Sequence, residues 1–360
     1  MLAHYYLGII YQKQGNMNKA IVEYKKALEI EPQNYIIHNS LGDIYRNQGY
    51  FDSSLSEYNL SLNISPDNPA TYIRLGHLYS MDKRYFEAIN QYKKVLIMEP
   101  SNSLAYYNVG LAYHKVGQFD EAIVHYKKVL EINSNDIDAH YNLAFAYLEG
   151  DRYKDAIDEF NIVLRIDTNN KGAKDNLEKA YLLLANLHAR ESRYDEAIDT
   201  YKKILEKNTN NLEAIVKLAD ILLKLEKLDE AIKEYEKILV IGDKKRIKEY
   251  NVFVKLGEIY NKMNEKQKAI DMFVKSVEIN PQDAQTYYYM GVTHFKNKNN
   301  SRAMIDFRRS LRLNSNSALA HYYLGTIYYQ QGRLKKAVDE YNKAFKLDPG
   351  IERVVSTDIK

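Results

Sequence analysis

The chain has 360 residues, 45% of them hydrophobic and 28% charged, with 33 tyrosines, no tryptophan and no cysteine. The missing thiols exclude disulfides, thiolate metal sites and a cysteine nucleophile, and no run of about 18 apolar residues exists to cross a membrane as a helix. The net charge of +3 conceals an imbalance: residues 1–170 carry 16 Lys/Arg against 21 Asp/Glu, the remainder 35 against 27, so the two parts offer a partner different fields.

The opening stretch, MLAHYYLGIIYQKQG, has no basic flank and reads directly into a repeat rather than a signal peptide; the cytoplasm is the default expected location. Gly8, Gly42, Gly76 and Gly110 are 34 apart and Ala144 continues the step. Tyr11, Tyr45, Tyr79, Tyr113 and Tyr147 keep it too, as do Ala20, Ser54, Ala88, Ala122 and Ala156, and then Tyr24, Tyr58, Tyr92, Tyr126 and Phe160. Phase denotes position within this 34-residue unit, Met1 being phase 1. Each unit predicts two helices. Leu7, Gly8 and Tyr11 share a face of the first; Gln14-Gly15-Asn16 breaks the pattern; Ala20, Tyr24 and Ala27 share a face of the second, which Pro32 stops. Small residues at phases 8 and 20 let the paired helices approach, and large ones at phases 7, 11 and 24 fill the space between pairs. A single pair cannot bury its apolar face, so the units must stack.

After Asn170 the register slips. The next motif, Leu184, Ala185, Ala197 and Tyr201, arrives seven residues late. Seven residues are about two turns, so a lengthened first helix keeps nearly the same face inward with a drift of roughly 20°; read without the insertion, phase 8 of this unit is Glu178. Repeat seven runs from Leu212. Repeat eight arrives four residues late, after a helix stop at Gly242, with Leu256, Gly257, Tyr260, Ala269 and Phe273. Repeats nine and ten follow in register from Ala284 and Ala318. The expected blocks are therefore 1–170 (repeats one to five), 171–249 (six and seven, with the extended helix) and 250–351 (eight to ten), with 352–360 a short tail that adds at most a short helix. Neither outermost repeat has the polar outer face of a solenoid cap: LAHYYLGIIYQKQG near the start and LAHYYLGTIYYQQG near the end are almost one sentence. This predicts a longer array or self-association through an end.

The pattern His4, Leu7, Gly8, Tyr11, Ala20, Tyr24, Ala27, Pro32 resembles the tetratricopeptide-repeat (TPR) family, whose signature it follows over essentially the whole chain, without that family's tryptophan. The resemblance implies an all-α fold, a right-handed α-solenoid of about ten TPR helix–turn–helix repeats, and a non-catalytic protein-interaction scaffold that needs no cofactor. Nothing in the sequence argues for chemistry: G-x-x-x-x-G-K-[ST], G-x-G-x-x-G, G-x-S-x-G and H-E-x-x-H are all absent. His4, His38, His140 and His321 at phase 4, and His188 and His294 at phase 11, are expected to replace aromatics in packing, and His77, His114 and His125 form no metal-ligand spacing. Asp120-Glu121, Asp195-Glu196 and Asp229-Glu230 recur where the second helix starts, where negative charge suits the unpaired amides.

In TPR proteins the first helices line a concave groove with phases 2, 5, 6, 9, 12 and 13, and carrying this over implies three groups of peptide-binding residues. Tyrosines form one: Tyr5, Tyr6, Tyr107, Tyr141, Tyr288, Tyr289, Tyr322 and Tyr323, each offering apolar area and one hydroxyl at low entropic cost. Polar residues form the second: Asn39 at phase 5, and Ser40, Arg74, Asn108 and Asn142 at phase 6. Asparagine amides can bond any backbone, and a longer asparagine ladder is typical of the TPR arm of O-GlcNAc transferase. The third is a basic stripe at phase 13, Arg190, Lys224, Lys262 and Lys296, with Lys217 and Lys255 at phase 6; it predicts an acidic peptide segment as partner, although the helix dipole alone favours such cations and Asp220 and Glu258, three residues on, are placed to neutralise the two phase-6 lysines. The clamp that holds chaperone C-termini is not met by any three consecutive repeats; repeats three to five supply Ile73, His77, Asn108, Asp138 and Asn142. The expected partner is thus an extended polypeptide. A substrate-recruiting arm of a larger enzyme is the alternative, and nucleic acid is disfavoured because the basic residues alternate with Asp229, Glu230, Glu234 and Glu236.

Overall fold

The computed structural model describes residues 1–242, 244–249 and 251–351, so the expected tail at 352–360 lies outside the described residues. All the regular structure described is helical. The helices are α1 (Leu2–Lys13), α2 (Met17–Ile30), α3 (Tyr35–Asn47), α4 (Phe51–Ile64), α5 (Pro69–Met81), α6 (Tyr85–Met98), α7 (Ser103–Lys115), α8 (Phe119–Ile132), α9 (Ile137–Glu149), α10 (Tyr153–Ile166), α11 (Lys171–Arg190), α12 (Tyr194–Lys207), α13 (Leu212–Lys224), α14 (Leu228–Ile241), α15 (Lys244–Glu249), α16 (Val252–Lys262), α17 (Lys266–Ile279), α18 (Ala284–Lys296), α19 (Asn300–Leu313), α20 (Ala318–Gln330) and α21 (Leu334–Leu347). With α15 set aside, these are ten consecutive helix pairs. The chain divides into two compact units, Met1–Leu184 and Ala185–Lys360.

In the first unit, the pairing of helices depends on phase 8. A Cβ built on Gly42 would stand 2.4 Å from Cε1 of Tyr58, and one on Gly76 2.3 Å from the same atom of Tyr92. The first helix therefore lies flat on the phase-24 ring of the second. Those rings, Tyr24, Tyr58, Tyr92, Tyr126 and Phe160, are fully buried, each contributing roughly 2–3 kcal/mol of transfer free energy. Asn34, Asn68, Asn102, Asp136 and Asn170, again 34 apart, cap the following first helices by accepting from the backbone N–H three residues on. The turn between paired helices needs a left-handed residue at phase 15; Gly15, Gly49 and Gly117 supply it, whereas Lys83 and Asp151 adopt positive φ at a steric cost. Asp120 and Glu121 sit in the first turn of α8, as the charge argument requires.

Helix α11 accommodates the seven-residue insertion by running for 20 residues where α3, α5, α7 and α9 run for 13. Its first turns keep the original 34-residue register: Asn170 caps it, and Ala173, Leu177 and Ala180 are buried. Leu184 and Ala185 then restart the count. Glu178 accordingly occupies phase 8 of the uninterrupted register and is half-buried.

The second unit repeats the design with Tyr201, Tyr235, Phe273 and Phe307 as buried phase-24 rings. Gly242, at φ 73°, ends α14 in the left-handed conformation, and the four-residue delay of repeat eight is taken up by the short α15. Ser192, Glu226, Asn264, Lys298 and Gly332 make the phase-15 turns, so only one of five is glycine here.

Candidate peptide-binding surface

Tyrosines at phase 5 in the first unit are anchored rather than projecting. Tyr5, Tyr107 and Tyr141 each lie edge or tilted against the phase-24 ring of their own repeat, at 6.0 Å from Tyr24, 6.0 Å from Tyr126 and 5.8 Å from Phe160. All three remain half-exposed. Two of the hydroxyls meet the next repeat: Asn142 Nδ2 donates to Tyr107 Oη at 2.9 Å, and Asn176 Nδ2 donates to Tyr141 Oη at 3.0 Å. Each amide also donates to a carbonyl one turn back, of Asp138 and Gly172 respectively. Burial pushes the Tyr107 phenol up, so it stays protonated. Asn108, Asn142 and Asn176 thus form a row of three at 34-residue steps. Asn176 is missing from the sequence reading because repeat six was counted after its insertion, and the signal was the simple continuation of Asn142 by 34.

Three other expectations in this unit need correction. Asn39 is buried, and its amide exchanges hydrogen bonds with Thr71 Oγ1, Nδ2 donating at 2.8 Å and Oδ1 accepting at 3.1 Å. It cross-links α3 to α5 inside the core and is not available to a ligand. Ser40 turns its hydroxyl back to the Ile36 carbonyl. Arg74 is spent on Asp43, Nε to Oδ2 at 3.0 Å, and on the Ala70 carbonyl. Tyr6, by contrast, is 58% exposed.

First helices α3, α5 and α7, with α6, border a pocket of about 470 Å³ lined by Arg46, Asn47, His77, Ser80, Met81, Tyr85, Tyr92, Asn108, Leu111, Ala112 and Lys115. Asn108 Nδ2 lies 3.3 Å from His77 Nε2. Burial, reinforced by the Arg46 guanidinium, holds the His77 imidazole below its ordinary pKa. Burial also pushes the Tyr92 phenol up to about 12. Sequence reasoning placed only Asn108 here; Arg46, His77 and Lys115 stand at phases 12, 9 and 13, positions the groove assignment itself names.

In the second unit the tyrosines divide. Tyr323 is a correction: at 1% exposure it belongs to the core, stacked on Phe307 with centroids 5.3 Å apart. Phase 6 faces the second helix of the preceding repeat, so a large ring there is swallowed by the stack. Tyr288 and Tyr322 pack on Phe307 and Tyr341 of their own repeats and stay half-exposed. Tyr289 stacks on Phe273, accepts from Gln285 Nε2, and has its phenol raised to about 12 by burial and by Glu258.

Among the cations, Arg190, Lys217 and Lys296 are exposed and make no ion pair among the described residues. Lys224 lies over the Tyr194 ring at 4.9 Å, and Lys262 stands 3.9 Å from Glu226 with both side chains mostly exposed. The expected neutralisation within each helix does not occur. Asp220 reaches forward to Lys255 of the next repeat, 3.7 Å away, and accepts from Tyr235 Oη at 2.6 Å, so it does not pair with Lys217. Arg190, Lys224, Lys262 and Lys296 all end first helices, where the dipole favours them.

With this geometry in place, the comparisons are decisive on kinship. The family described as TPR repeat matches residues 8–49, 83–117 and 113–151, and families described as tetratricopeptide repeat match 36–68, 135–209, 188–248, 250–283 and 318–351, together most of the chain. The chain belongs to the tetratricopeptide-repeat family. No curated protein matches it in sequence. Among solved structures it is similar to MamA, with 25% identity, a TM-score of 0.43, and coverage of 45% of this chain and 95% of that one. It is also similar to PilF of Pseudomonas aeruginosa (22% identity, TM-score 0.42, 59% of this chain and 93% of that one). YrrB, described as a TPR protein with an unusual peptide-binding site, is 18% identical, with a TM-score of 0.42 and coverage of 53% and 95%.

The TPR signature does not explain the histidines, and the structure gives them another part. At phase 4 they are clasps: Nδ1 meets a phase-23 carboxylate in His38–Glu57 at 2.7 Å, His140–Glu159 at 2.6 Å, and likewise in His4–Glu23 and His321–Glu340. The far nitrogen of His38, His140 and His321 reaches a carbonyl in the preceding loop. They tie the two helices of one TPR and the loop before it, rather than merely filling aromatic space. Among the described residues no group of His, Asp and Glu is placed to hold a metal ion, and no helix is long and apolar enough to cross a membrane.

Proposed function

We propose that this TPR chain is a non-catalytic scaffold that holds an extended polypeptide against the face carried by its first helices. The observation that carries this reading is the pair Asn142 and Asn176; Asn108, one step earlier in the row, is buried with its amide against His77. The amide nitrogens of Asn142 and Asn176 are committed to tyrosine hydroxyls and carbonyls, while no donor among the described residues reaches their Oδ1 atoms. Oxygens fixed in this way can accept from the backbone N–H groups of a guest whatever its sequence, and the half-exposed Tyr107 and Tyr141 beside them offer apolar area. Preorganisation is the benefit: the amides are already ordered before a guest arrives. The test is selection of peptides on the full chain from a randomised display library, followed by Asn142→Ala and Asn176→Ala together. At least tenfold weaker binding with unchanged helicity is expected; unchanged affinity rules the reading out.

In the second unit the unpaired Arg190, Lys217 and Lys296, with the loosely held Lys224 and Lys262, favour an acidic stretch of the guest. Lys224→Glu with Lys262→Glu should abolish binding of an acidic guest, since both cations are exposed and their loss costs little stability.

Two further readings each have their own support. Asn176 lengthens the asparagine row to three, which favours the substrate-recruiting arm of a larger enzyme such as an O-GlcNAc-transferase-like glycosyltransferase; coding sequence that continues into a catalytic domain decides it. Self-association draws on the outer face of α1. Ala3, Tyr6, Leu7 and Ile10 are all exposed, yet their counterparts 317 positions on, Ala320, Tyr323, Leu324 and Ile327, have the same identities and are buried in one cluster with Ala303 and Phe307 of α19. Helix α21 repeats the α19 face with Ala337, Val338 and Tyr341, and Val338 is 55% exposed. A second copy docking α21 onto α1 would continue the stack. Light scattering that finds only monomer, at concentrations well above those of binding assays, removes this reading.

A further inference from the structure

The 470 Å³ pocket between α3, α5, α6 and α7 carries a charge opposite to its surroundings. Residues 1–170 are net acidic, yet Arg46 and Lys115 line the pocket and no carboxylate does. Lys115 is exposed and has no ion-pair partner among the described residues. The acid that acts on His77 is Asp43, which is outside the lining and is shared by Arg46 at 3.4 Å, Arg74 at 3.0 Å and the Tyr58 hydroxyl at 2.7 Å. One carboxylate thus answers two guanidiniums, and Lys115 is left over. The remaining polar lining, Asn47, Ser80, His77 and Asn108, can donate hydrogen bonds, while Met81, Leu111 and Tyr85 form an apolar wall.

We propose that this pocket receives the side chain of an internal glutamate of the guest polypeptide, its methylenes against Met81 and Leu111 and its carboxylate between Lys115 and Arg46. The proposal rests on the peptide-binding reading above and adds a specificity to it. Three features select this occupant. Lys115 has no ion-pair partner among the described residues and Arg46 shares Asp43 with Arg74, so a lining without any carboxylate carries net positive charge that an anion completes. The apolar wall requires a stem between backbone and charge, which glutamate has. Asn142 and Asn176, in the two repeats that follow, provide for the guest chain to continue beyond the pocket. Electrostatics summed over the half chain point the other way, toward a basic partner for the acidic repeats. The local field wins because the nearby acid is already neutralised and the Debye length of about 8 Å screens the rest.

The experiment uses the full chain and 12-residue peptides displayed on phage, whose C-termini are fused to the coat so that no terminal carboxylate is present. Selected peptides are synthesised with amidated C-termini, and affinity is read by fluorescence anisotropy. One acidic position, glutamate in most clones, is expected to recur, and its replacement by glutamine should weaken binding at least tenfold on the native chain but less than twofold on the Lys115→Gln chain. Lys115 is exposed and unpaired, so that variant keeps its fold. A glutamine peptide given a free C-terminal carboxylate should not recover affinity; recovery would assign the pocket to chain ends and overturn the proposal. Equal loss on both chains, or selected peptides with no recurrent acid, overturns it while leaving the scaffold reading intact, provided that Asn142→Ala and Asn176→Ala still weaken those peptides. Selection of no binding peptide counts against both.

Discussion

Replacing Thr71 by valine asks whether Asn39 is structural, as its burial says, or part of the binding face, as its phase suggests. Thr71 is fully buried, and its hydroxyl meets three groups: Asn39 Nδ2 at 2.8 Å, Asn39 Oδ1 at 3.1 Å and Ser61 Oγ at 3.2 Å. Valine preserves shape and removes all three bonds. Asn39 is 6% exposed, so water does not replace them. An orphaned buried amide costs about 1–3 kcal/mol, and with donor and acceptor lost together about 2 kcal/mol is expected. Changing Asn39 to leucine as well removes the stranded amide, and the double variant should recover at least half of the loss. Urea unfolding of the full chain gives the free energies, and hydrogen exchange shows whether the loss is confined to α3–α5, since repeat arrays need not unfold in one step. A neutral Thr71→Val would mean that the Asn39 amide finds water or rotates into the open, returning it to the binding face and refuting the packing argument.

Other consequences can be checked separately. Glycine at the left-handed turn positions should stabilise: Lys83→Gly and Glu226→Gly each relieve a steric cost of about 1 kcal/mol, partly offset by the greater freedom of unfolded glycine, giving a net gain of up to about 0.5–1 kcal/mol in urea unfolding. Tyr107→Phe keeps the ring on Tyr126 and removes only the acceptor for Asn142, so stability should fall by no more than about 1 kcal/mol while affinity for selected peptides drops severalfold as the amide loses its orientation. Binding of a glutamate peptide should strengthen on acidification. Free His77 has a pKa depressed below its ordinary value, and a bound carboxylate raises it, so binding takes up a proton and affinity increases as pH falls from the bound-state pKa toward the depressed free one, by at most about tenfold per unit raised. Asp43, Arg46 and Arg74 are the charges acting on the ring, and Lys115 shares the pocket lining; His77→Gln should flatten the profile.

The sequence by itself determined the repeat, and with it the helices, their pairing and the family. Glycine at phase 8 opposite an aromatic at phase 24 can be satisfied in one way only, by a helix lying against a ring, and seven such glycines leave little freedom. Periodicity also located the lengthened α11, because a seven-residue slip returns a helix to nearly the same face. Tertiary structure decided which side chains at a given phase remain for a partner. Phase 6 is the clearest case: Tyr6 is open, Asn142 is half-open, and Tyr323 is sealed beneath Phe307. One position therefore has three environments, set by what the neighbouring repeat places opposite it. Charge behaved likewise, with Asp220 pairing forward to Lys255 instead of along its own helix, and Asp43 absorbed between two arginines. Arg46 pairs with Asp43 within one helix, but Asp43–Arg74 and Asp220–Lys255 join residues more than 30 positions apart across the stack, and no spacing rule within a single helix contains them.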